Sequence, residues 1–110
     1  MTRFITFFNY TEETWAKMIV NPSDRLAAVR AAAESLGGTV DTLYYMFGRS
    51  DGFVISEVPD STSAAAFSIA VTASGAVRDI ETHELIAPDD LPAVLGKAAT
   101  AQGTYRPPGS

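Results

Sequence analysis

The sequence contains a single histidine, His83, and proton transfer at neutral pH would have to start with it. An unperturbed imidazole titrates near neutrality, so His83 is the candidate catalytic residue, as a general base, a hydrogen-bond donor or a haem ligand. On strand alternation, Glu81 shares its face and Glu84 points the other way. A lone histidine on a polar strand more often has a structural or surface role than a role in a site. Because one histidine among scattered carboxylates lacks metal-ligand spacing, we expect no metal site.

A second group of candidates lies around two glycines in the middle of the chain. Arg49 is a candidate ligand-binding residue, since a guanidinium can clamp a carboxylate through two parallel hydrogen bonds. Asp51 before Gly52 is ordinary turn chemistry, because the carboxylate can accept hydrogen bonds from backbone amides and glycine tolerates positive φ. We therefore predict Gly48, Asp51 and Gly52 as a structural turn motif. For Arg49, a solvated charge in a turn is the alternative.

Aromatic side chains form the third group. The candidate ligand-binding residues of this type are Trp15, Tyr44, Tyr45 and Phe67, with Tyr10 nearby. They could line a pocket in which a tyrosine hydroxyl orients a substrate oxygen, although aromatic residues on strands are more often core or interface. Tyr44 and Tyr45 are adjacent on a strand and face opposite sides of the sheet, so only one of them can line a cleft under helices.

The elements that must position these candidates follow from the hydrophobic pattern. Residues 44–56 have two aromatic and β-branched runs around a short polar segment, which predicts a β-hairpin joined by a tight connection. Strands are predicted over residues 3–10, from Thr39 into the hairpin, from the hairpin to near Val58, and over residues 77–86. Helices are predicted after Thr11, from Asn21-Pro22 to Leu36, over residues 63–74, and from Asp89 to near Ala99.

The order strand, helix, strand, strand, helix, strand predicts an α+β, ferredoxin-like fold with a four-stranded antiparallel sheet and its helices on one face. In the first strand, Phe4, Phe8 and Tyr10 lie on one face and Ile5 and Phe7 on the other. An apolar face without helices needs another cover, so we expect two sheets to pair face to face as a dimeric α/β barrel. Such an interface would bury about 1,000 to 2,000 Å².

Length and composition limit the class of protein. The 110 residues suit one domain, and we expect a ferredoxin-like domain over residues 1–87 and a helix with a Pro/Gly-containing tail over residues 88–110. A net charge of −5 argues against nucleic acid as a partner. The sequence has no cysteine, no apolar run of membrane-spanning length and no leader pattern. We expect a soluble cytoplasmic homo-oligomer that does not bind membranes.

Several segments resemble the GYD-domain family of small bacterial proteins. The resemblance rests on four segments, which are Asn21–Gly38, Gly48–Asp51, Val58–Asp60 and Gly75–Arg78. It covers about residues 3–87, and Ser50 stands where the family's tyrosine would be. The resemblance implies a ferredoxin-like, dimeric α/β-barrel domain. Relatives in the wider barrel superfamily include cofactor-free monooxygenases, isomerases, haem-handling enzymes and ligand-sensing regulators, and fold analogy does not choose among them.

Two classes of function remain open. In the first, a cleft between sheet and helices binds a small, partly aromatic molecule, either to hold it or to transform it without a cofactor, as a monooxygenase or isomerase would. In the second, the chain is a non-catalytic oligomeric interaction or accessory module with a filled core and no ligand site. A cleft of roughly several hundred Å³ lined by Trp15, a tyrosine and His83 would favour the first class. We favour ligand binding, with catalysis left open.

Overall fold

A computed structural model describes all 110 residues. The strands are β1 (Thr2–Tyr10), β2 (Thr39–Tyr45), β3 (Gly52–Val58) and β4 (Val77–Glu84). The helices are α1 (Glu12–Val20), α2 (Arg25–Ser35), α3 (Ser61–Ala73) and α4 (Leu91–Gln102). A short 3-10 turn, Pro88–Asp90, precedes α4. None of these helices has the length and apolar character needed to cross a membrane.

The four strands form one antiparallel sheet in the order β2-β3-β1-β4. The two central strands, β1 and β3, are neighbours, and the crossover connections leave β2 and β4 at the edges. This order and the placement of helices on one face make the fold ferredoxin-like, which confirms the predicted fold class.

Helix starts are fixed by side-chain caps. Thr11 accepts a hydrogen bond from the backbone amide of Thr14 at the start of α1, and Asp60 caps α3 in the same way. The prediction that Asn21-Pro22 starts the second helix is wrong. Asp24 provides that cap instead, and α2 begins three residues after the proline.

Helices cover only one face of the sheet, and alternate residues of each strand therefore have different surroundings. On the covered face Phe4, Thr6 and Phe8 are 5%, 6% and 6% exposed. The open face is defined by five apolar residues, which are Ile5, Phe7, Tyr44, Phe53 and Ile55. The register places all five side by side across β1, β3 and β2. This arrangement matches the two apolar faces predicted for β1.

The C-terminal helix α4 extends away from the sheet. Its main contacts are with the 3-10 turn, and every residue from Leu91 to Ser110 is exposed. The radius of gyration is 17.7 Å, whereas a compact chain of this length would have about 13 Å. Leu91, Val94 and Leu95 are 43%, 43% and 56% exposed, so the helix presents an unpaired apolar stripe.

Candidate functional site

A larger and more polar concave surface, of about 680 Å³, lies beside α1. The more apolar one is a groove between α2 and α3, above the covered face of the sheet. Its volume is about 490 Å³, and 15 of its 19 lining residues are hydrophobic. Thr6, Phe8 and Val54 line it from the sheet, while Val29 of α2 and Phe67 of α3 line it from the helices. A space of this size and apolar character suits a small organic ligand.

The groove exists because the two helices pack on different strands and present small side chains to the space between them. Helix α2 packs mainly on β2, and α3 packs mainly on β4. Ala28 and Ala32 on α2, and Ala66 and Ala70 on α3, line the groove at a spacing of one helical turn. These four alanines are exposed, so the groove opens to solvent.

Few polar groups reach the groove. The one charged residue in its lining is Arg25, which is half-buried. The one tyrosine in its lining is Tyr10, which is 7% exposed. The hydroxyls of Tyr10 and Tyr45 are 3.2 Å apart and share a hydrogen bond. Partial burial, and then this hydrogen bond, raises the pKa of Tyr45 above its ordinary value, while the charge of Arg25 acts to lower it. The groove also has the hydroxyls of Thr6, Ser35 and Ser74 in its lining, and Arg25 and the Tyr10–Tyr45 pair form its one charged and aromatic polar region.

Trp15, Tyr10 and Tyr45 form an aromatic cluster beside the groove. The ring centroids of Tyr10 and Trp15 are 5.1 Å apart, and those of Trp15 and Tyr45 are 6.2 Å apart. The Trp15 indole N–H donates to a carboxylate oxygen of Asp51 at 3.0 Å, and the Tyr10 backbone amide donates to the same oxygen at 2.9 Å. Asp51 is thus a structural tie between the hairpin tip and the end of β1.

The hairpin connection is a six-residue loop, residues 46–51, and the prediction of a tight turn was too short. Asn9, which no pattern in the sequence singled out, holds this loop. Its side-chain amide donates to the Arg49 carbonyl at 3.1 Å and to Asp79 at 2.9 Å, and its oxygen accepts from the Asp51 amide at 2.9 Å. Asn9 is 6% exposed, so its three hydrogen bonds are largely shielded from water.

Two positions of the predicted turn motif require glycine, each for a different structural reason. Gly48 has φ +146, a backbone conformation that side chains disfavour. At Gly52 a Cβ would lie 2.5 Å from the Phe8 ring and 2.7 Å from the Tyr44 carbonyl oxygen. Gly52 therefore lets the Phe8 ring lie against the backbone of β3, next to the groove.

The placement of His83 in the cleft is wrong. His83 pairs with Ile5 across β4 and β1, and both residues lie on the open face. Its Nε2 is 2.7 Å from a carboxylate oxygen of Glu81, as strand alternation allowed, and its ring is 6.4 Å from that of Phe7. The physical reason is that both crossover connections place their helices on the face of Thr82, opposite to His83. A chemical role for His83 stays a prediction, now attached to the open face.

The other predicted ligand-binding residues lie in three places, which are the groove and its surroundings, the open face, and the hairpin loop. Phe67 lines the groove, and Trp15 and Tyr45 lie beside it. Tyr44 is on the open face, stacked on Phe53 with centroids 5.8 Å apart. Arg49 is exposed in the hairpin loop and does not line the groove. Tyr44 and Tyr45 do face opposite sides of the sheet, as strand alternation predicted, and Tyr45 is the one on the side of the helices. The placement of Tyr44 and Arg49 away from the groove separates them from the other candidates.

The groove is lined instead by residues without a chemical signature. Alanines, valines and Ile80 make up most of its surface, and Arg25 belongs to the first turn of α2. A stripe of alanines at helical spacing is ordinary on a packed helix, so no local signal marked these residues. No group of three or more histidine, aspartate or glutamate residues is arranged to hold a metal ion.

The fold and the groove define a ferredoxin-like α+β domain with an apolar, ligand-sized space between its sheet and helices. A family model described as the GYD domain matches residues 4–95, and the chain therefore belongs to the GYD-domain family. The match extends past the predicted limit at residue 87 and into α4. Among curated proteins, none matches the chain at a significant level.

Solved structures with a similar fold include two of low sequence identity. TTHA0845 from Thermus thermophilus is 16% identical, with a TM-score of 0.51, and the match covers 79% of this chain and 95% of that one. FFRP-DM1 is 14% identical, with a TM-score of 0.50 and coverage of 78% and 100%. At these identities the likeness shows the fold alone.

Proposed function

We propose that this protein is a homo-oligomer that binds a small, largely apolar molecule in the groove between α2 and α3. The observation that carries the proposal is the groove itself, about 490 Å³ with mostly hydrophobic walls. Apolar surface left in contact with water costs about 25 cal/mol per Å². A ligand that fills the groove would remove this cost at the centre of the covered face. Whether the bound molecule is also transformed is a separate question from binding.

The open face supports the oligomeric part of the proposal. Ile5, Phe7, Phe53 and Ile55 form a contiguous apolar surface, and such surfaces are uncommon on monomers unless they bind something. The rim is charged, since Arg3 forms ion pairs with Asp41 and Glu57. An apolar centre with a charged rim is the usual anatomy of a protein interface. A second copy of the same face is the partner that we propose.

The runner-up function is an oligomeric interaction module without a ligand. The specific observation in its favour is α4, whose apolar stripe has no partner within the chain. On that interpretation the groove is merely the gap left by two alanine-rich helices. The two functions differ in what fills the groove, and this difference can be measured directly.

The test uses Nile red, a neutral dye that fluoresces in apolar surroundings, and a pair of alanine substitutions on α3. Ala70→Leu places a larger side chain in the groove, whereas Ala65→Leu adds the same atoms at an exposed position outside it. We expect Ala70→Leu to weaken dye binding by about tenfold or more, because the added volume occupies the site, and Ala65→Leu to leave it unchanged. Absence of dye binding, or equal binding by both variants, would contradict the proposal.

A further inference from the structure

Arg25 carries the single charge in the lining of the groove. It is half-buried, and no carboxylate lies within 4.0 Å of its guanidinium. Of the eight lysine and arginine residues only Arg3 and Lys17 have an acidic partner within that distance, and Arg25 is the one unpaired member that lines the groove. The adjacent Asp24 is engaged elsewhere, since its carboxylate accepts the backbone amide of Ala27 at 3.0 Å. The five N–H donors of Arg25 are therefore available to a ligand.

The tyrosine pair beside Arg25 also favours an acceptor. Tyr10 lines the groove and is 7% exposed, and its hydroxyl is 3.2 Å from that of Tyr45. One hydroxyl proton is used between the two oxygens, so the proton of the other hydroxyl is free to be donated. The free tyrosine hydroxyl and the Arg25 guanidinium can both donate hydrogen bonds, so the ligand needs to supply only acceptors. The polar groups at this part of the groove thus match an anionic or strongly accepting group.

We propose that the groove binds an apolar monocarboxylic acid, with its hydrocarbon part along the alanine-lined walls and its carboxylate at Arg25 and the tyrosine pair. This inference rests on the proposed function, since it names the ligand class of the same groove. The carboxylate geometry matches the planar fork of arginine. A single positive charge suits a monoanion rather than a phosphate ester or a dicarboxylate, which would need more cations in a protein of net charge −5.

The test compares two probes of equal chain length, decanoate and decan-1-ol, each measured by displacement of Nile red at pH 8. Both have the same hydrocarbon part, so the difference between them reports the carboxylate. We expect decanoate to bind about tenfold or more tightly than decanol, because charge-assisted hydrogen bonds in a partly dry site are strong. Arg25→Gln should remove this preference and leave decanol binding within about twofold.

Arg30→Gln is the matched control, since Arg30 is on the same helix, exposed and outside the groove. It should leave both affinities unchanged. Arg25→Lys serves as a second variant in case Arg25→Gln does not fold, and it should keep part of the preference because the charge remains while the fork is lost.

The possible results separate the two proposals. Equal binding of decanoate and decanol by the native protein, or a preference that survives Arg25→Gln, would overturn the acid and leave the groove proposal in place. Failure of the dye test with Ala70→Leu would overturn the groove and the acid together. A decanoate preference that falls with Arg25→Gln and is kept in Arg30→Gln supports the inference.

Discussion

The two faces of the sheet have similar side chains but very different surroundings. On the covered face, Phe4 and Phe8 are 5% and 6% exposed. On the open face, Ile5 and Phe7 of the same strand are half-buried, and Tyr44 is 61% exposed. The types of residue do not explain this contrast. It arises because both crossover connections place their helices on one side of the sheet.

The contrast distinguishes two kinds of unfilled apolar surface. The groove is concave, lies between two helices and the sheet, and could hold a small molecule. The open face is broad, carries its charges at the rim and offers no enclosed space. A concave apolar surface is typical of ligand sites, and a flat one with a charged rim is typical of protein interfaces. The shapes of the two surfaces are therefore the reason that we propose binding on one side of the sheet and assembly on the other.

The largest effect is expected from removing a ring on the covered face. Phe8→Ala deletes a buried side chain that packs on Tyr10, with ring centroids 5.0 Å apart, and should lower the free energy of unfolding by about 3–5 kcal/mol. Urea denaturation followed by circular dichroism measures this loss. The matched control is Phe7→Ala in dilute protein, where the loss should be about half or less because that ring is partly in water already. Equal losses would contradict the contrast between the faces.

A charge on the open face should weaken the proposed dimer without unfolding the chain. In Phe7→Lys the new ammonium lies opposite Glu81 on β4, so the monomer can accommodate it, whereas a desolvated charge in a sheet-to-sheet interface would weaken the dimer by roughly a hundredfold. Light scattering coupled to gel filtration measures the mass.

The control for this substitution is Ile69→Lys, which changes an apolar residue of α3 that is 68% exposed and faces away from the sheet. It should remain a dimer. A native protein that is monomeric at micromolar concentration would refute the proposed assembly.

The smallest effect concerns the tyrosine pair on the covered face and appears only at alkaline pH. The pKa of Tyr45 is raised in the folded chain, chiefly by partial burial, so its neutral form stabilises the fold. That contribution is complete below the pKa of a tyrosine in the unfolded chain, about 10, and is lost as the pH rises above it. The free energy of unfolding should therefore fall above about pH 10.

Tyr45→Phe removes this titration, and its stability should decline less between about pH 9 and pH 11 than that of the native protein. Tyr44→Phe on the open face is the control and should keep the full decline. Parallel pH profiles for native and Tyr45→Phe proteins would show that the pair contributes no pH dependence.

Much of the fold could be predicted from local patterns. The alternation in residues 3–10 predicted a strand with two apolar faces, and the structure has β1 as Thr2–Tyr10. The start of α2 was misplaced because Asn21-Pro22 and Asp24 are both reasonable helix starts, and only the actual hydrogen bond from Ala27 to Asp24 decides between them. Such competition between neighbouring caps depends on where the preceding helix ends.

The candidate site was less predictable. His83, Arg49 and the aromatic residues were selected because their side chains can do chemistry, and of these only Phe67 and Tyr10 line the groove. Arg25 had no distinguishing local context, since an arginine in the first turn of a helix usually lies in solvent. Its importance comes from its position, because among the basic residues without an acidic partner it is the one that lines the groove.

The sequence by itself determined the elements and their order. It also determined which residues of a strand share a face, because side chains alternate between the two faces of any strand and this alternation depends only on backbone geometry. Only the tertiary structure decided which of those faces the helices cover, since that depends on the path of two long crossovers. It also decided that α2 and α3 pack on different strands and leave a gap between their alanines. A groove is a property of distances between elements, and no local pattern of residues encodes those distances.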